Sequence, residues 1–218
     1  MLGAVIAMES EAEILLEKMT IEKTEKISEK PVYVGTAYGK EIVLIVCGVG
    51  KVNAAIGTQI LIDKYAVNTL INFGVAGGLN ASTTLCDVYQ ISHAVQFDFD
   101  LTQLNATAMG TLDEYSENYL NFNLFDTKYQ TRRLGTSDRF NDSADDYKLL
   151  TEVLHADIRD MEGGAILQTA IKAGVPVYCV KAISDVAGNG STTEQFLVNK
   201  KRALENLQAY FPTLFQAF

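Results

Sequence analysis

The sequence predicts an α/β fold, one domain built on a mainly parallel or mixed sheet. Short apolar runs rich in β-branched residues recur along the chain, and longer segments with helical spacing lie between them. Size and composition agree: 218 residues, 48% apolar and 21% charged, suffice to bury roughly 70% of the surface that the unfolded chain exposes.

The elements follow in order. Residues 2–8 form an apolar run that reads as a buried strand, and 11–19 have helical spacing. Ser10, with Glu13 three residues on, is a capping-box candidate for that helix. Runs at 31–38 and 41–47 flank Tyr38-Gly39-Lys40 and predict a local antiparallel hairpin. A helix is expected over 52–65, strands over 68–73 and 87–92, a helix over 161–173, a strand over 175–183 and a helix over 194–207. The stretch 97–129 is polar and aromatic, lacks clear periodicity and is broken by Gly110. Long irregular segments of this kind form lids, binding loops or subunit contacts, so it is a candidate for substrate or partner contact.

Charge narrows the partners. There are 27 acidic and 18 basic side chains, a formal net charge of −9, and no basic run of the kind that phosphate polymers require; nucleic acid is not an expected partner. No stretch reaches the roughly 18 apolar residues of a membrane span, and the first residues lack the pattern of a secretory signal. A cytoplasmic protein is expected. Cys47, Cys86 and Cys179 are widely spaced, without the neighbours a zinc site needs, and read as reduced core thiols.

Two glycine-rich segments follow predicted strands, CGVGKVNAA after Cys47 and FGVAGGL after Phe73. Neither has the spacing of a phosphate loop or a dinucleotide fingerprint, which argues against an ordinary nicotinamide-dependent dehydrogenase. Each reads as a tight turn leaving a strand. In open α/β sheets ligands collect at the carboxyl ends of the strands, where Glu11, Glu162 and Asp185 are also expected. One such carboxylate is explained by capping alone. Three facing one crevice raise one another's proton affinity and suggest acid/base catalysis.

The segments AMESEAE, CGVGKVNAA, NFGVAGGL, DMEGGAI and KAISDVAG occur in the order and spacing of the purine nucleoside phosphorylase and uridine phosphorylase superfamily. Within it the chain most resembles the 5'-methylthioadenosine/S-adenosylhomocysteine nucleosidases, which hydrolyse the N-glycosidic bond and release adenine. The resemblance implies a single domain over 1–218, three-layer α/β/α with a central mixed, twisted sheet. It also implies a homodimer, an adenine nucleoside as the small-molecule substrate, and neither cofactor nor metal. It assigns Glu11 as the base that activates water, Glu162 as the carboxylate that binds the ribose hydroxyls, and Asp185 as the acid toward adenine N7, oriented by Ser184. Phe140 matches the aromatic stacked on the base and Met161 the apolar side chain under the ribose. Val49, Val75, Ala76, Gly77, Asn141 and Asp160 complete the expected substrate contacts. Leu104 and Met109 mark positions where a partner subunit's loop would close the 5' pocket.

Phosphorylases of this kind place a phosphate-binding Arg where this chain has Asn72, and a Gly-Asp-Pro turn where it reads Met8-Glu9-Ser10-Glu11; water is therefore the expected nucleophile. Three departures bear on detail. Val75 replaces a Ser, Lys181 an Arg, and Asn141 an apolar residue, whose added amide is expected to bear on base selection. A phosphate-dependent phosphorylase and a noncatalytic nucleoside-binding relative are the alternatives.

Overall fold

The computed structural model describes residues 1–125 and 130–218. The first half runs β1 (Leu2–Ile6), α1 (Glu9–Leu16), β2 (Thr20–Ile27), β3 (Lys30–Ala37), β4 (Lys40–Val46), α2 (Lys51–Tyr65), β5 (Thr69–Gly78) and β6 (Val88–Gln96). The second runs α3 (Thr102–Asn105), β7 (Leu120–Asn121), β8 (Thr131–Thr136), α4 (Ala144–Lys148) with a π-helical turn after it (Leu149–Val153), β9 (Ile158–Asp160), α5 (Gly163–Ala173), β10 (Val177–Val186) and α6 (Thr192–Phe215).

Four strands in the spatial order β4-β1-β5-β10 are parallel, so their carboxyl ends open on one edge of the sheet. Beyond β4 the antiparallel strands β3 and β2 extend the sheet as a meander. Beyond β10 the sheet turns back: β6 is antiparallel to β10, β8 parallel to β6, and β9 parallel to β8 and antiparallel to the end of β5. The strands β5, β10, β6, β8 and β9 therefore close a ring, and the sheet is mixed, as expected.

Helices cover both faces. On one, α1 and α6 pack together over Ile6, Leu44, Ile71 and Phe73, with Leu207, Phe211 and Phe215 of α6 fully buried or nearly so. On the other, α2 and α5 pack over Val5, Ile45, Leu70 and Ile183. This burial is what holds the parallel strands, because a parallel sheet is stable only with both faces dry. Cys47, Cys86 and Cys179 are free and buried. Among the described residues no helix is long and apolar enough to cross a membrane.

Several expectations need correction. Strand β5 does not stop at Phe73 but runs to Gly78, so FGVAGG is strand and not a turn. Strand β10 runs past Ile183 through Asp185, with an irregular register against β5 between these two residues. Strand β6 reaches Gln96 rather than 92, and α6 spans 24 residues, with Pro212 inside it, rather than 194–207. Strands β2, β8 and β9 had no apolar run to announce them: β2 is a mostly exposed strand at the sheet edge, and β9 is three residues long. Ser10 does not cap α1. The strand before it ends at Ile6, the helix starts at Glu9, and Glu11 reaches back to the Met8 amide instead. The segment 97–129 holds only α3 and β7 as regular elements up to residue 125; residues 126–129 lie outside the described ones.

Candidate active site

The parallel edge brings the three acids together. Glu11 enters from the first turn of α1, Glu162 from the residue before α5, and Asp185 from the end of β10. All three line one cavity of about 470 Å³, with Val49, Val75, Ala76, Gly77, Phe140, Asp160, Met161 and Ser184. Eleven of the twelve candidate residues named from the sequence line this cavity.

Each carboxylate is held differently. Glu11 accepts from the Val75 amide on Oε1 (2.8 Å) and from the Met8 amide on Oε2 (3.2 Å). Its cap on α1 and its place in the cavity are thus one arrangement. Glu162 Oε1 accepts from the Gly50 amide at 2.8 Å. Gly50 has φ +100, a conformation that L side chains rarely adopt, and it aims that N–H away from α2 and into the site. Asp185 Oδ2 accepts from Ser184 Oγ at 2.8 Å, while Oδ1 is buried with no hydrogen-bond partner among the described residues.

Bare backbone makes room for these acids. A Cβ built on Gly74 would lie 2.3 Å from Glu11 Oε1, and one on Gly77 would lie 2.8 Å from Asp185 Oδ1. The glycines of FGVAGGL therefore let two carboxylates lie flat against a strand.

Beneath them is a buried ion pair. Lys181 Nζ is 3.0 Å from Asp160 Oδ2. Asp160 also accepts from Thr136 Oγ1 (2.6 Å) and from the Gly163 amide (2.9 Å), which occupies its oxygens and makes it a support more than a free ligand group. Burial works against the Lys181 ammonium, but Asp160 foremost, with Glu162 and Glu11 also contributing, holds it firmly protonated.

Burial pushes all three acids toward the neutral form. Glu11 is raised by loss of water, partly offset by Lys181 and the two amides. Glu162 is raised by burial and then by the nearby Asp160 charge. Asp185 is raised by burial, against the Ser184 hydrogen bond and the Arg159 charge. Carboxyls shifted in this direction within one cavity are candidates for proton transfer.

Phe140 is half exposed and meets Phe196 edge to face, with ring centroids 5.8 Å apart. Asn141 does not line the cavity. Its Nδ2 donates to Asp146 and its Oδ1 accepts from the Ser143 amide, so its side chain is spent on the loop before α4. None of the described residues of 97–125 lines the cavity either; Met109 packs on the cluster of Leu79, Val95 and Phe97, while Leu104 is exposed. Ala7, Met8, Arg159, Thr193, Phe196 and Leu197 line it without having been expected. The spacing of Thr193, Phe196 and Leu197 at i, i+3 and i+4 was a signal for one helix face, but of a kind that ordinarily means core. Arg159 stands next to Asp160 in sequence, and only the pairing of β9 with β5 turns it inward.

The family model described as "Phosphorylase superfamily" matches residues 2–216. The 5'-methylthioadenosine/S-adenosylhomocysteine nucleosidase of Halalkalibacterium halodurans is 34% identical over 200 residues, 86% of each chain. The nucleosidase of the same name from Neisseria meningitidis, solved with methylthio-immucillin-A, superposes with a TM-score of 0.88 at 25% identity, covering 100% of this chain and 99% of that one. A futalosine hydrolase from Helicobacter pylori superposes with a TM-score of 0.90 at 20% identity, covering 100% of this chain and 97% of that one, a likeness of fold alone.

Proposed function

This chain belongs to the phosphorylase superfamily, and within it we propose that it is an N-glycosidic hydrolase acting on 5'-methylthioadenosine and S-adenosylhomocysteine, releasing adenine and the 5-thio-substituted ribose. Its relatives of that name support the substrate class.

The observation that carries the reading is the fixing of Glu11. A buried carboxylate, pinned by two backbone amides at the carboxyl edge of the sheet, is placed to orient and deprotonate a water. Its raised proton affinity makes it a better base near neutral pH than an exposed glutamate. Asn72, at the position of the phosphorylases' Arg, turns its side chain into the sheet: Nδ2 donates to the Val5 carbonyl and Oδ1 accepts from Cys179 Sγ. That position offers phosphate nothing.

The remaining roles follow from charge. Departure of an adenine anion is difficult, so Asp185, whose proton affinity burial raises and which Ser184 orients, gives its proton to N7 as the C1'–N9 bond breaks. The ribose becomes cationic, and Glu162 holds its hydroxyls while the nearby carboxylates stabilise the charge. Phe140 stacks on the base and Met161 packs under the sugar. Each proton transfer contributes about 10²- to 10⁴-fold. The enzyme works as a cytoplasmic homodimer; the exposed apolar side chains Val52 and Ile56, one turn apart on α2, support a partner surface.

The test is release of adenine from both substrates, with and without phosphate, by the wild type and Asp185→Asn. Phosphate-independent release that the substitution largely abolishes is expected. A phosphate requirement with ribose 1-phosphate as product makes the chain a phosphorylase. Ligand-dependent thermal stabilisation without turnover makes it a binding protein.

A further inference from the structure

Resting on that reading, we propose that Arg159 determines which purine the site takes, and that the chain also hydrolyses 6-oxopurine nucleosides, which carry a carbonyl rather than an amine at C6.

Arg159 pairs with Gly77 across β9 and β5. A Cβ built on Gly77 would lie 2.8 Å from Asp185 Oδ1 and 3.3 Å from both Cγ and Nε of Arg159. The two side chains thus converge over one bare residue of β5, and both line the cavity together with Phe140 and Ser184. The Arg159 side chain is 11% exposed, and its Nη2 is buried without a hydrogen-bond partner among the described residues. Asp142 Oδ1 lies 4.0 Å away, beyond hydrogen-bond reach, and is engaged by Thr192, whose hydroxyl donates to it at 2.6 Å and whose amide donates to Oδ2 at 3.3 Å. Asp185 Oδ1, also buried, is unpartnered as well. Two unsatisfied buried polar atoms on converging side chains are expensive to maintain in an empty site, and a ligand that satisfies both removes the cost.

The chemistry of the purine edge says which ligand. N7 and the C6 substituent lie side by side on the same edge. With Asp185 at N7, we place its neighbour over Gly77, Arg159, at C6. A guanidinium has only N–H donors. An exocyclic amine turns N–H groups toward it, whereas a carbonyl oxygen offers lone pairs and takes a charge-assisted hydrogen bond. Asn141, whose amide was expected to bear on base selection, is turned away. Hydrolysis then runs as for the adenine substrates. Water adds to C1' as the C1'–N9 bond breaks, the bond pair goes to the base, Asp185 gives its proton to N7, and the water's proton goes to Glu11. The products are hypoxanthine and the free sugar.

The experiment compares 5'-methylthioadenosine with 5'-methylthioinosine, which differ in the C6 group and the N1 proton that accompanies it. Base release is measured for the wild type, Arg159→Met and Arg159→Lys, and binding of free adenine and hypoxanthine is measured by calorimetry. The wild type should cleave both nucleosides with kcat/KM values within about tenfold. Arg159→Met should lower the inosine-to-adenosine ratio roughly 10- to 150-fold, the worth of one charged hydrogen bond, and Arg159→Lys should restore part of it. A wild type that rejects the inosine analogue by a thousandfold while cleaving the adenosine overturns this inference and leaves the nucleosidase reading intact. An equal effect of Arg159→Met on both substrates also overturns it, since Arg159 then acts only through the proton affinity of Asp185. Should neither nucleoside be cleaved, the nucleosidase reading fails. The calorimetry then decides: selective loss of hypoxanthine binding in Arg159→Met supports the base assignment, and equal loss of both bases overturns it.

Discussion

Glu11 Oε1 occupies the space where a side chain on residue 74 would begin: a Cβ built on Gly74 would lie 2.3 Å from it. Strand β5 therefore carries a glycine opposite the proposed base because anything larger displaces the carboxylate or the strand. Gly74→Ala should cost about 1–3 kcal/mol of stability as an overpacked contact and lower kcat by at least about 10², the lower value of general base catalysis. Denaturant unfolding and steady-state kinetics check the two effects. Unchanged kcat in a folded variant contradicts the role of Glu11.

The Lys181–Asp160 pair is buried beneath the cavity. Removing one partner leaves the other charge uncompensated, so Lys181→Met should destabilise by about 3–5 kcal/mol, and Lys181→Met with Asp160→Asn should recover part of that loss. Urea unfolding of the single and double variants measures the coupling. Additive losses would show that the pair does not act as a unit.

Activity should follow a bell in pH. Glu11 must be ionised to act as base and Asp185 protonated to act as acid, and burial raises both. The acidic limb of kcat/KM therefore belongs to Glu11 and lies above the ordinary glutamate range near 4.5. The alkaline limb belongs to Asp185. Asp185→Asn should remove the alkaline limb from whatever activity is left, and a limb that persists in that variant assigns the acid elsewhere.

Stability carries the same sign. Burial raises Asp185 above its unfolded value near 3.8, so the folded state holds the proton longer. The contribution to folding is fully present below that unfolded value and is lost as pH rises through the folded one. Asn carries no such dependence. The Tm of Asp185→Asn relative to wild type should climb between pH 4 and pH 8, by about 2–4 °C for each kcal/mol gained in a chain of this size. Calorimetric scans across that range test it, and a Tm difference that stays flat rules out a raised Asp185.

Cys47 and Cys179 are buried, and loss of water pushes both thiols up to about 12. The thiolate is the reactive form, so iodoacetamide at pH 8 should leave both unmodified and the protein active, with labelling at the rate of unfolding. Mass spectrometry of the native and urea-treated protein separates the cases, and rapid native labelling at either position contradicts the burial.

The alternation of β-branched runs with helical segments was enough to determine an α/β fold, the hairpin at Tyr38-Gly39-Lys40 and the placing of Glu11, Glu162 and Asp185 at element ends, because periodicity reports which face of a segment is dry. The tertiary structure alone decided that FGVAGG is strand, that β8 and β9 close a ring with β5, and that Arg159 lines the cavity while Asn141 does not. The reason is that these depend on partners far away in the chain. Gly74 and Gly77 are bare because side chains from α1 and β10 lie on them, and Arg159 turns inward because its strand pairs with residues some 80 positions earlier. A local pattern of apolar and polar residues records burial, but it does not record which distant segment supplies the cover.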